Sequence, residues 1–172
     1  DITAWFSRDD PVYRDYERFR SEFGGTRALI IALKADSADR LFSRATLETI
    51  AAITADIERV DTVQHVNSLA TATIVEAIKS QDADEGGLEV RPLLEDVATR
   101  DPAEIRRRAL EDDLIRGDLV SEDGVTTAII VGFDEDRIDE VRAGVIQQIH
   151  DIVDPRLPAG VRAYYNGSLE IS

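Results

Sequence analysis

An α+β fold is predicted by an internal echo in the chain and by the two strand-helix-strand units that the echo marks. Thr26-Arg27-Ala28-Leu29-Ile30-Ile31-Ala32-Leu33 is answered one hundred residues on by Thr126-Thr127-Ala128-Ile129-Ile130-Val131-Gly132-Phe133. Each run leads into an amphipathic helical pattern and then a second short apolar stretch. Those stretches end in Asn67-Ser68-Leu69 and in Asn166-Gly167-Ser168-Leu169. Two β-α-β units of this kind zip into one four-stranded antiparallel sheet with both helices on one face, a ferredoxin-like split β-α-β sandwich. In that layout the first and last strands are expected side by side in the sheet centre. The chain divides into an N-terminal amphipathic helix (1–25), a first βαβ unit (26–69), an insert with helix and hairpin (70–124) and a second βαβ unit (125–172).

Local signals justify each element in order. Asp9-Asp10-Pro11 is a cap followed by proline in a first helical turn, where the missing N–H costs nothing. Val12, Tyr16, Phe19 and Phe23 then recur at 4-3-4 spacing, one apolar stripe, and Gly24-Gly25 closes the helix. Ala28–Ala35 reads as a strand. Ser43 opens a second helix that carries Leu47, Ile50, Ile53, Ile57 and Val60 on one side. At ~1.5 Å per residue this helix spans about 25 Å, close to an eight-residue strand at ~3.3 Å per residue. Val63–Leu69 is the next strand.

In the insert, 70–79 reads as a short helix or turn, and the polar, acidic Ser80–Gly87 as a loop. Leu88–Leu94 is an edge strand stopped by Pro92. Asp101-Pro102 starts a helix running to about Asp113, and Asp123-Gly124 signals a hairpin. The second unit repeats the first. Val125–Phe133 is its strand, Asp134 or Asp136 the helix cap, and Ile138, Val141, Val145, Ile149 and Ile152 the buried stripe. Val161–Tyr165 is the last strand, with Asn166-Gly167 turning out of it.

Composition bounds the function. A chain of 172 residues buries roughly 70% of its unfolded surface and needs no staple. The net charge of −15 disfavours a nucleic-acid backbone or an anionic lipid surface as partner. With no Cys, thiol catalysis, thiolate metal sites and disulfides are excluded. The 18 Arg against 2 Lys read as a compositional bias. The chain starts at Asp1 rather than Met, and is expected to be a piece of a longer protein. No apolar run approaches the ~18 residues that span a bilayer.

Catalytic patterns are not found: no phosphate-cradling glycine loop, no dinucleotide fingerprint, no His-Glu-x-x-His and no Gly-x-Ser-x-Gly. His65 and His150 read as structural or surface residues. The carboxylate clusters at Asp82/Asp84/Glu85, Glu111/Asp112/Asp113, Glu122/Asp123 and Asp134/Glu135/Asp136 lack calcium-loop spacing and read as solvated or capping groups. Arg106-Arg107-Arg108 fan over ~200° of a helix and are expected to pair with Glu104, Glu111 and Asp112. No catalytic, cofactor or metal residue is expected, and no enzymatic activity. The aromatics of the first helix leave two readings open. They are core packing, or a greasy wall in which Tyr13, Tyr16 and Phe19 contact a lipid-like ligand or a sister domain.

The order of motifs carries a resemblance. The helix closed by Phe23-Gly24, the strand, Leu41-Phe42-Ser43 opening a helix, and Val63-x-x-Val66-x-Ser68-Leu69 come first. Leu88-x-Val90-x-Pro92-Leu93-Leu94 and the stretch from Leu114 to Ala128, with Gly117, Asp123 and Gly124, follow. Together they resemble the first periplasmic loop of RND-superfamily exporters, most like the MMPL and hopanoid-exporter branch. Gly167 resembles the glycine just before such a loop re-enters the membrane.

That resemblance implies one porter-type domain on the periplasmic face of the bacterial inner membrane. The parent would be a proton-driven exporter of hydrophobic or amphiphilic molecules. Its partners would be the second periplasmic domain and the membrane helices of the same transporter, together with a lipid-like substrate. The family's proton-relay carboxylates sit in membrane helices, so no acidic residue here inherits that role. Phe23, Gly24, Gly117, Asp123 and Gly124 would be fold-defining. The alternative is a soluble ferredoxin-like regulatory or ligand-binding module, which would need a concentrated effector site.

Overall fold

The computed structural model describes residues 27–77 and 86–167. In chain order the elements are β1 (Ala28–Ala35), α1 (Ala38–Leu41), α2 (Arg44–Glu58), β2 (Val63–Asn67), β3 (Thr73–Ala77), β4 (Leu88–Pro92), α3 (Pro102–Glu111), α4 (Asp113–Asp118), β5 (Thr126–Phe133), α5 (Glu135–Val153) and β6 (Val161–Gly167). A 3₁₀ turn, Asp154–Arg156, closes α5. The first-helix expectation over 1–25, with Tyr13, Tyr16, Phe19, Phe23 and Gly24, lies outside the described residues, as does most of the acidic loop.

The architecture is α+β, built on a four-stranded antiparallel sheet in the order β2-β5-β1-β6. First and last strands are neighbours as expected, with Leu29 paired to Gly167 and Ala35 to Val161. One correction concerns position. Of the first and last strands only β1 is central, beside β5, and β6 forms an edge.

Alternation along the central strands sorts their side chains. Leu29, Ile31 and Leu33 of β1 and Ile129, Val131 and Phe133 of β5 join one core with Leu47, Ile50, Ile53 and Ile57 of α2 and Ile138, Val145 and Ile149 of α5. The opposite set, Ala28, Ile30, Ala32, Ala128 and Ile130, forms a separate buried cluster. Helix starts follow the capping signals. Ser43 accepts from Thr46 N at 3.3 Å, Asp101 from Ala103 N at 3.0 Å and Asp134 from Asp136 N at 3.0 Å. Strand β2 stops at Asn67 rather than Leu69. There the Ser68 amide turns to bond Thr71 Oγ1, while the Ser68 hydroxyl pairs with buried Thr54 at 2.8 Å.

Four further expectations are corrected. Residues 73–77 are a strand, not helix or turn, because β3 pairs along its whole length with β4. The helix begun at Asp101-Pro102 ends at Glu111, where Asp112 takes extended backbone and caps a second helix. Val141 is exposed and Val153 buried, so α5 faces the sheet along Ile138, Arg142, Val145, Ile149 and Val153. Val141 lies ~80° off the middle of that line. Asn166-Gly167 does not turn but continues β6 opposite Ile30 and Leu29.

Two close approaches are glycine-dependent. Gly124 (φ +73°) turns the chain toward β5, and a Cβ there would stand 3.3 Å from Ala38 Cβ. Gly160 (φ +83°) leads into β6, and a Cβ would meet Asp36 Oδ2 at 2.9 Å. Gly117 differs. A Cβ there meets nothing within 4 Å, so no steric demand of the fold fixes glycine at that position. Gly160→Ala is expected to destabilise the domain by about 1–3 kcal/mol, through the left-handed backbone and the lost space, as measured by denaturant unfolding.

Asp61, just ahead of β2, accepts from Arg137 in the first turn of α5 at 2.6 Å. That hydrogen bond, and then the guanidinium charge, holds the Asp61 carboxyl below the usual carboxylate range. A carboxyl that titrates lower when folded contributes stability above its unfolded pKa, and the contribution is lost as pH falls through the folded value. Arg137→Ala should therefore return the Asp61 titration, followed by carboxyl NMR, toward the ordinary range. The acid-side loss of stability should shrink with it.

Candidate functional site

The insert supplies the surface that the core does not explain. Register pairs Thr73 with Pro92, Val75 with Val90 and Ala77 with Leu88, so these six side chains share one face of the β3-β4 ribbon. That face points outward, with Val75 57%, Leu88 76% and Val90 64% exposed. The inward face is the polar one. Ile74 alone enters the core there, and Glu76 stands between Arg91 of β4 at 3.0 Å and Arg108 of α3 at 3.2 Å. Hydrogen bonds from Arg91 to Glu95 and then to Glu76 hold its guanidinium pKa above the ordinary value. The ribbon is thus fastened by charge on its inner face and presents hydrocarbon to the outside.

At the foot of the ribbon lies an open groove of about 260 Å³. Asn67, Thr71 and Thr73 line one wall, and Asp112, Leu114 and Asp118 the other. Thr73 belongs to both ribbon and groove, which makes them one continuous strip. Leu114, 70% exposed, extends the apolar part across α4. Asp112 is already committed as a cap, its Oδ1 accepting from Leu114 N at 2.9 Å and Ile115 N at 3.2 Å. An apolar ribbon that runs into a groove with hydroxyls, an amide and carboxylates matches the two ends of an amphiphile.

The residues singled out from the sequence do not converge. His65 is an exposed residue of edge strand β2. His150 stacks on Tyr165 at 3.8 Å between ring centroids, with Nδ1 3.2 Å from Asp154, and Tyr165 donates to the same carboxylate at 2.5 Å. This group ties α5 to β6. Asp123 shapes the turn before β5, accepting from Ser121 Oγ at 2.6 Å and Val125 N at 3.2 Å. Of the three arginines, Arg107 pairs along its helix with Glu111, as expected. Arg106 and Arg108 instead reach Asp39 and Glu76 on other elements.

The outward ribbon was missed in the sequence because its apolar face is the solvent face. Thr73-Ile74-Val75-Glu76-Ala77 reads as helix or turn in the sequence, so neither the strand nor the side of it that faces water was visible there. The exposed leucine and valine of Leu88-Glu89-Val90 were visible only as strand formers. Tyr13, Tyr16 and Phe19 lie outside the described residues. Among the described residues no helix is long and apolar enough to cross a membrane.

Compared with protein-family models this chain matches none, and no curated protein matches it.

Proposed function

We propose that this chain is the extracytoplasmic porter domain of a proton-driven RND-type exporter, with a ferredoxin-like split β-α-β core. In this reading the ribbon and its groove are the surface that contacts a hydrophobic or amphiphilic cargo. The observation that carries the reading is the pairing of Leu29 with Gly167. It sets the start of β1 and the end of β6 one strand spacing apart, ~4.8 Å, at the same end of the sheet. A head held by two membrane helices needs that geometry. The ordered motifs from Leu41-Phe42-Ser43 through Asp123-Gly124 support the same reading.

The strip adds a chemical class. Val75, Val90 and Leu88 offer an apolar face too exposed to be core, and contiguous exposed apolar surface marks contact sites. Asp112 and Asp118 in the groove favour a neutral or cationic polar end over an anionic one. The membrane helices would supply the driving force, and this domain would move against its sister as a rigid body.

Two measurements test the proposal. The gene should encode apolar segments of ~20 residues on both sides of this stretch, and a reading frame without them overturns the exporter assignment. In the full-length protein, Val75→Asp with Val90→Asp should cut export about tenfold or more, as for a contact worth over ~1.4 kcal/mol. Folded abundance should stay unchanged, because neither side chain is in the core. Unaltered export with both carboxylates in place removes the ribbon from the substrate path.

A further inference from the structure

We infer that the groove at the foot of the ribbon holds the positively charged head of a single-chain cationic amphiphile, an alkyl ammonium, whose tail lies along the outward face of β3 and β4. The inference deepens the reading of that strip as a cargo surface and rests on it.

The walls of the groove are fixed from behind. On one side the Ser68 amide donates to Thr71 Oγ1 at 2.9 Å. The fully buried Ser68 hydroxyl pairs with Thr54 of α2 at 2.8 Å and accepts from Ala70 N at 3.0 Å. These bonds set the turn that brings Asn67, Thr71 and Thr73 to the groove. On the other side Ile115, 4% exposed, anchors α4 in the core, and two amide bonds to Oδ1 hold the Asp112 carboxylate in place. A wall ordered in advance loses little freedom on binding.

Charge selects the head. Asp112 and Asp118 line the groove, and among the described residues that do so there is no lysine, arginine or histidine. Asp118 closes α4, where the last helical carbonyls add partial charge of the same sign. The net charge of −15 adds a field in the same sense. A neutral head seated here would take carboxylates out of water without compensation, and an anionic head would be repelled. A cation meets neither penalty. The groove, at about 260 Å³, far exceeds the ~10–15 Å³ that one water needs, and so admits a methylated ammonium.

The tail follows from the register of the ribbon. Leu93 N donates to Ala72 O at 2.8 Å, one pair before Thr73/Pro92. Alternation then makes Thr73/Pro92, Val75/Val90 and Ala77/Leu88 the non-hydrogen-bonded pairs, whose side chains stand closest across the strands. All six residues are exposed. They form a band from the groove to Ala77 and Leu88, about 13 Å long at ~3.3 Å per residue. Carbon–carbon bonds of ~1.5 Å advance about 1.25 Å each along an extended chain, so the band matches a tail of about ten carbons.

The test titrates the purified chain with decyltrimethylammonium below its micelle concentration, following the methyl NMR signals of Val75 and Val90. The cation should bind about tenfold or more tighter than decyl maltoside or decyl sulfate, which share the tail and change the head. Affinity should rise from the hexyl to the decyl homologue and level off beyond dodecyl. Asp112→Asn with Asp118→Asn should weaken the cation about tenfold or more, with asparagine keeping the α4 cap. Glu135→Gln with Asp136→Asn removes the same charge outside the groove and should change binding less than about twofold. Val75→Ser with Val90→Ser should weaken cationic and neutral heads alike. Equal affinity for the three heads, equal loss from the two charge-removing pairs, or no shift at Val75 and Val90 would overturn the inference. Cation binding in a chain whose gene lacks flanking membrane segments would remove the exporter reading and leave this site standing. Export that depends on Val75 and Val90, with no preference for the cation, would do the reverse.

Discussion

Strands β1 and β5 bury both of their faces, with Lys34 the one exposed side chain between them, and the remaining structure is arranged around that requirement. A doubly buried antiparallel pair satisfies its backbone groups only within the sheet, so β6 must pair with β1 and β2 with β5. Its side chains need a layer above and a layer below. The upper layer is α2 and α5, whose stripes meet Leu29, Ile31, Val131 and Phe133. Because β1 and β5 are consecutive in neither sequence nor unit, neither half can complete its core alone. The strands from the two ends of the chain are therefore interleaved in one sheet rather than stacked as two.

That interleaving explains what the sequence made legible. Ala28–Ala35 was readable to the residue because a strand buried on both sides is a continuous apolar run bounded by polar residues. Ser43 and Asp134 were readable because a cap is a local contract between one side chain and the amide two or three residues on. The insert was less legible for the opposite reason. Thr73–Ala77 becomes a strand through pairing with Leu88–Pro92 across the intervening segment, and its five residues fit a turn or short helix equally well until that partner is known. Val141 shows the limit of periodicity. Arg142, whose stem lies on the buried line, holds the place that a purely apolar stripe assigns to its neighbour. The ribbon's orientation was illegible for a different cause: a core-facing arginine-glutamate cluster and a solvent-facing valine pair invert the usual alternation.

The arginines also gain a physical reading. Several connect separate elements: Arg106 to Asp39, Arg108 to Glu76, Arg137 to Asp61 and Arg156 to Asp56. Arg100 donates to Leu93 O at 2.9 Å, and Arg44 donates to Arg100 O at 2.9 Å, which draws α2 against the segment before α3. Exposed ion pairs of this sort each contribute little. A planar guanidinium nonetheless reaches two acceptors at once in a way that lysine's ammonium does not. A chain with 35 acidic residues and only 20 basic ones has an excess of acceptors, so each cation is best used where it can engage more than one. What the composition presents as a bias is, at Arg91 and Arg100, a means of joining neighbouring segments.

The same logic sets the insert apart from the body it is fastened to. Its attachment is carried by Ile74, Leu93, Ile105, Ala109 and Ile115 in the common core, and by Glu76 between two guanidiniums at its inner face. The outer face contributes nothing to that attachment. Val75, Val90 and Leu88 can vary without disturbing β1 or β5, whereas Ile74, one residue away, cannot. With β1 and β5 buried on both faces, the large apolar side chains left exposed among the described residues, Val141 apart, fall on the insert. The proposed contact with cargo rests on the outward face of a β3-β4 ribbon whose inner face is held by ion pairs.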